Sequence, residues 1–171
     1  DQALAQVRAR LQDDTEVIFC QNGLGVFEEA EKFLLPTLRW QRAICWFGVR
    51  ARSPEHPEEF LVAGTPGIEL GGSGPELLVQ TATDLKKAGI EVLFEGPAAQ
   101  AEWRKALWNL GGNALLTLAN APNGQMSLSP LLRPVAESLM LEAIQVAQAL
   151  GVFLGPQDME RAFEAVEAGP S

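Results

Sequence analysis

The sequence is short of histidine, cysteine and basic residues, and each shortage removes a class of function. Only 13 Lys and Arg stand against 22 Asp and Glu, a formal net charge of -9. Phosphate recognition needs cations gathered on one face, so neither nucleic acid nor an anionic membrane surface is an expected partner. No run of about 18 apolar residues occurs. The opening residues, "DQALAQVRARLQDD", lack the basic start and continuous apolar stretch of a secretory signal, so a cytoplasmic protein is expected. Two cysteines, Cys20 and Cys45, make neither a disulfide framework nor a metal knuckle; each sits in an apolar, strand-like segment, where a buried thiol in a reducing compartment is the expectation. The single histidine, His56 in "SPEHPEE", falls between prolines and acids, where a solvated loop is expected and no metal site.

What is present is an ordinary globular composition: 171 residues, 47% hydrophobic and 20% charged, enough for one fair-sized core or two small ones. Residues 1–12 have a helical period, and "TEVIFC" after them is a β-rich run. "GVFEEAEKFLLPTL" predicts a helix ended by Pro36, and "RAICWFGVRA" a β-rich run with Trp46, Phe47 and Val49. Short strands follow in "EEFLVAG" and "GIEL". The spacing then predicts a helix from Pro75 to a Gly89 cap and a strand in "IEVLFEG". Beyond Gly96 come three helical patterns with no strand between them. The expected fold is therefore α/β over residues 1–96 followed by all-α over 97–171, without linker, repeat or low-complexity tract.

Two stretches carry candidate chemistry. In "VIFCQNGLGVFEEAEKF" a strand runs into a glycine turn and a helix, the place where open α/β sheets bind ligands. Asn22 stands at that crevice. Gly23 and Gly25 do not complete a dinucleotide fingerprint, because Glu28 occupies the third glycine's place and Glu29 follows it; carboxylates at a helix start satisfy its dipole and repel a pyrophosphate. A tight turn with Asn22 in the left-handed conformation explains the pattern as well as a ligand contact does.

The second stretch is "AEWRKALWNLGGNALLTLANAPNG". Four-residue steps put Lys105, Asn109 and Asn113 on one helix face over roughly 12 Å. A solvated stripe accounts for the lysine but poorly for two asparagines, which are weak helix formers. Gly111 and Gly112 cost a helix about 1 kcal/mol each, which points to close approach by another element or a ligand. On the residues alone, function and solvated stripe stay balanced.

These stretches resemble the ketopantoate reductase (2-dehydropantoate 2-reductase) family, whose pattern has an N-G-x-G turn and a W-x-K-x(3)-N-x(3)-N helix leading to P-N-G. Here the matching residues are Asn22, Gly23 and Gly25, then Trp103, Lys105, Asn109 and Asn113, then Pro122, Asn123 and Gly124. The resemblance spans nearly the whole chain. It implies part of a Rossmann-like domain followed by the first helices of a helical substrate and dimerisation domain. It also implies NADPH-dependent reduction of ketopantoate to pantoate, in coenzyme A biosynthesis. Lys105 would be catalytic, stabilising and protonating the developing alkoxide; Asn109 and Asn113 would bind substrate, and Asn22 would lie near nicotinamide and substrate.

The family's G-x-G-x-x-[GA] diphosphate loop has no counterpart in this sequence, nor do its later helices, with their substrate-binding serine and acidic residue. An internal piece of a reductase is the expectation, with poor NADPH affinity of its own and self-association through apolar faces left uncovered. A non-catalytic assembly module of the same fold, or a reductase of another 2-oxo acid, stands as the alternative.

Overall fold

The computed structural model describes residues 6–8, 10–12, 14–32, 37–63, 67–72, 74–122 and 125–167. Four strands form one mixed sheet in the order β1-β2-β5-β6: β1 (Glu16–Phe19), β2 (Arg39–Cys45), β5 (Gly67–Gly72) and β6 (Glu91–Gly96). The β1/β2 and β5/β6 pairs are parallel, and β2 and β5 run antiparallel. Each parallel pair needs a crossover, supplied by α1 (Val26–Glu31) and α2 (Pro75–Lys87). A two-stranded hairpin, β3 (Gly48–Ser53) with β4 (His56–Ala63), stands as a separate sheet.

Among the described residues, the elements after β6 are all helical: α3 (Ala98–Trp108), a π-helical turn (Asn109–Ala114), α4 (Leu115–Ala119), α5 (Gln125–Leu128), α6 (Leu132–Ala149) and α7 (Pro156–Glu167). The apolar positions of α6, Ala136, Met140, Ala143, Ile144 and Ala147, recur at three and four residues and are all buried. They form one core with Leu107, Leu116, Met126, Ala162 and Phe163. A smaller core of Ala43, Ile68, Leu70 and Ala82 lies between the sheet and α2.

The central strands are covered on both sides, so period-2 alternation sorts their residues by face. Gln41 reaches α2, donating to the Leu77 carbonyl at 3.2 Å and to Thr81 at 2.7 Å. Arg42 and Ile44 therefore face the opposite way, towards α3, together with their cross-strand partners Gly71 and Glu69. Gly71 is what lets α3 start there. A Cβ on it would lie 2.4 Å from the Ala98 Cα and 2.6 Å from the Ala98 nitrogen.

Several expectations change. The run "RAICWFGVRA" is broken at Trp46 and Phe47 into β2 and β3. His56 opens β4 rather than lying in a loop, although its side chain remains 60% exposed. Cys20 is exposed beyond the end of β1 and Cys45 is only half-buried; both are free thiols. Asn22 is not left-handed, because its neighbours take the positive φ values instead: 118° at Gly23 and 72° at Gly25. Half of the 1–12 stretch (residues 1–5 and 9), Pro36, Asn123 and Gly124 lie outside the described residues. The Gly89 cap, with φ 82°, and Pro75 at the first turn of α2 stand as expected.

Because the Gly71 contact is with backbone, which cannot move aside cheaply, Gly71→Ala should destabilise the fold by about 1–3 kcal/mol, the ordinary cost of overpacking. A urea midpoint equal to that of the parent would show that α3 is not seated on β5 in this way.

Candidate active site

Helix α3 is fastened to the sheet by two arginines. Arg42 is fully buried, and its Nε donates to Glu102 Oε1 on α3 at 2.5 Å. Its remaining N–H groups donate to the carbonyls of Phe19 at 2.8 Å, Gln21 at 2.9 Å and Gly23 at 3.5 Å. One guanidinium thus ties the end of β1 and the glycine turn to the helix, using the fork geometry that suits arginine to such a junction. The second arginine, Arg104, comes from α3 and donates through Nε and Nη2 to Glu69 at 2.9 and 2.7 Å. It also lies 3.9 Å from Asp158 on α7.

Between these struts is a cavity of about 200 Å³. Asn22, Glu102, Lys105 and Asn109 bring polar groups to it, and Leu24 and Ile44 help make its apolar wall. Asn22 is there because Arg42 holds the carbonyls on both sides of it. Lys105 on α3 and Asn109, where the π turn begins, are there because they sit one turn apart on the face that meets the sheet.

Lys105 is 7% exposed. It has no hydrogen-bond acceptor or ion-pair partner among the described residues. Its Nζ lies over two indole rings, 4.1 Å from the Trp108 centroid and 4.8 Å from that of Trp46. Burial pushes its pKa below the ordinary 10.5, opposed by Cys45 and Glu69. Burial likewise raises the Glu102 carboxyl, against the pull of Arg42, and raises the Cys45 thiol.

Of the residues singled out from the sequence, Asn22, Lys105 and Asn109 share this cavity. Asn113 does not line it. The chain widens into a π turn at Asn109–Ala114, adding an extra residue to the turn that separates them, and Asn113 faces a neighbouring pocket with Thr117 and Asn120. The two sites remain linked, since Asn113 Nδ2 donates to Asn109 Oδ1 at 2.8 Å. The Gly-Gly pair lies in this turn, and a Cβ on Gly111 would come 2.1 Å from the Met140 Cε and 3.0 Å from its Cγ. Close approach by another element, α6, is thus what Gly111 permits.

Sequence reasoning missed Arg42, Glu102 and the two indoles. The available signal was "QRAIC", a strand whose centre carries a charge where an apolar residue belongs.

The family model described as "Ketopantoate reductase PanE/ApbA" matches residues 1–74, and that described as "Ketopantoate reductase PanE/ApbA C terminal" matches residues 98–170. The chain belongs to the ketopantoate reductase family. A 2-dehydropantoate 2-reductase of Halobacterium salinarum is 31% identical over 91 residues, covering 53% of this chain and 30% of that protein. One from a Nostoc species is 26% identical over 146 residues, covering 82% and 46%. The chain thus spans less than half the length of these curated relatives.

Among solved structures, the 2-dehydropantoate 2-reductase of Methylococcus capsulatus superposes with a TM-score of 0.79 at 22% identity, over 98% of this chain and 53% of that one. D-mandelate dehydrogenase with NADH gives 0.79 at 21%, over 97% and 54%. A dimeric ketopantoate reductase of Staphylococcus aureus gives 0.72 at 22%, over 99% and 56%. These likenesses share the fold: a Rossmann-like part followed by helices.

A buried ammonium without an ion pair lowers stability. In this ketopantoate reductase chain the folded pKa of Lys105 lies below its unfolded value of 10.5. The unfolded state therefore binds the extra proton between the two, and stability rises with pH through that window. Lys105→Met should accordingly raise the urea midpoint at pH 7, by on the order of 1 kcal/mol. That gain should shrink as pH climbs towards 10.5. A variant less stable than the parent at every pH would contradict the desolvation of Lys105.

Proposed function

We propose that this chain carries the substrate side of an NADPH-dependent 2-dehydropantoate 2-reductase. In this reading residues 1–96 are a partial Rossmann-like domain and residues 97–171 a partial helical one. The observation that carries it is Lys105, an ammonium with no ion pair among the described residues, in one cavity with the carboxamides of Asn22 and Asn109.

The chemistry follows from what such groups do to a ketone. When bound, a reduced nicotinamide supplies hydride to the carbonyl carbon. Charge then builds on the carbonyl oxygen, where the Lys105 ammonium stabilises it and delivers a proton from Nζ. Asn109 orients the substrate's polar groups by hydrogen bonds, and Asn113, bonded to Asn109, extends the stripe to the neighbouring pocket. Burial of Lys105 keeps water away and brings its pKa towards the working range of a proton donor.

The residues fit only the nicotinamide end of the cofactor. Asn22 offers a carboxamide beside the cavity, whereas α1, capped by Gly25 and carrying Glu28 and Glu29 in its first turn, does not suit a diphosphate. Self-association is part of the reading. Leu128, Leu131, Val135 and Leu139 follow one another at three and four residues and are all exposed, at 82%, 80%, 47% and 37%.

A second reading keeps the same site but takes another 2-oxo acid, supported by the equal superposition on D-mandelate dehydrogenase. Comparing kcat/KM for 2-dehydropantoate and phenylglyoxylate, each with NADPH and with NADH, separates the two.

In either case Lys105→Ala should lower kcat by about two orders of magnitude or more, the usual contribution of a general acid. Steady-state oxidation of the nicotinamide coenzyme measures it, and an undiminished kcat would end the assignment.

A further inference from the structure

Every acid near Lys105 is already committed or uncharged. Glu102, one turn earlier on α3, is bonded to Arg42, and Glu69 on β5 is bonded to Arg104, which also lies near Asp158 of α7. Cys45 on β2 is held as a neutral thiol by burial. A buried ammonium ordinarily needs a counter-charge. What it meets instead is a pair of π faces, Trp108 at 4.1 Å and Trp46 at 4.8 Å, both inside the range in which a ring quadrupole attracts a cation.

The two indoles carry a second oddity. Among the described residues, neither Trp46 Nε1 nor Trp108 Nε1, both buried, has a hydrogen-bond partner. A buried indole ordinarily satisfies its N–H, and two failures beside one lysine mean that ring placement answers to something else. Trp46 comes from the break between β2 and β3, and Trp108 from the last turn of α3. Two separate elements thus converge on one Nζ.

We propose that Trp46 and Trp108 replace a carboxylate as the counter-charge of Lys105, holding the ammonium charged and in position while leaving its positive charge uncancelled. A carboxylate in their place would neutralise the lysine and repel an anionic substrate. A ring face stabilises the cation yet contributes no net charge, so the site keeps its attraction for a 2-oxo acid. Only this last clause rests on the reductase reading; the placement of the ammonium does not.

The test follows the Lys105 Cε signal of the full 171-residue chain by NMR across a pH series. The signal is assigned by its loss in Lys105→Met, and neither cofactor nor substrate is needed. Trp46→Leu and Trp108→Leu keep the site apolar but remove a face. Each should lower the titration midpoint of Lys105 by about 0.5 to 1.5 pH units, the size of a desolvated cation–π contact. Trp46→Phe and Trp108→Phe, which restore a smaller ring, should recover most of that shift. Midpoints in the Leu variants that coincide with the parent, or Phe variants that fall as far as the Leu ones, would overturn the proposal. Should one Leu variant fail to fold by circular dichroism, the Leu/Phe pair at the other position decides the matter alone. The predicted shifts in a chain that binds no 2-oxo acid would leave the π counter-charge standing and remove the reductase reading.

Discussion

The arrangement depends on one buried guanidinium. Arg42 projects from the centre of β2 and is the point at which the end of β1, the glycine turn and α3 meet. Replacing such a group with a well-packed apolar side chain would often leave a protein no less stable, because desolvating two charges costs about what their attraction returns. Its value is geometric. An apolar residue could fill the space, but it could not hold the carbonyls of Gln21 and Gly23 at defined distances from a carboxylate on the helix. The turn that carries Asn22 would then be free to choose its own position.

That pairing also decides the electrostatics of the cavity. With Glu102 bonded to Arg42, and Glu69 together with Asp158 beside Arg104, no carboxylate among the described residues is bonded to Lys105. Burial then acts on it without opposition from a bonded carboxylate. The cavity, small and largely apolar, becomes a place where one positive charge is concentrated. The neighbouring acids are bonded to arginines, so Glu69 acts on the lysine only through space.

Much of this was legible in the sequence where periodicity carries the signal. Strands up to Gly96 and helices after it follow from changes in apolar spacing, and the stripe of Lys105, Asn109 and Asn113 was visible because asparagine is out of place in a helix. Asn113 stays beside Asn109, to which it is hydrogen-bonded, but the wider turn brings it to the neighbouring pocket, which counting in steps of four does not reveal. The π turn is not a local preference of "NLGGNA". It arises where α6 packs against the chain at Gly111, a contact between residues nearly thirty positions apart. Arg42 was passed over for a related reason: a charge inside a strand is only interpretable once the carboxylate facing it, sixty residues later, is known. His56 was read as a loop residue from its prolines, and the pairing of β3 with β4 overrode that local preference. For Asn22, the two glycines beside it absorbed the positive φ values that a tight turn demands.

The two halves of the chain divide the physical burden unequally. The helical core buries Leu107, Met126, Met140 and Phe163 almost completely, each contributing roughly 1.5–3 kcal/mol. The site lies on the opposite face of the helix that supplies Leu107, and there, among the described residues, stand an ammonium without an ion pair, two indole N–H groups without partners and a widened helical turn. Each of these lowers stability. Lys105 and Trp108 stand on α3, whose other face sends Leu107 into the helical core, so one well-packed element helps bear the cost and fix the geometry. A site built on the hairpin, whose Val49, Phe60 and Val62 are more than half exposed, would have neither support.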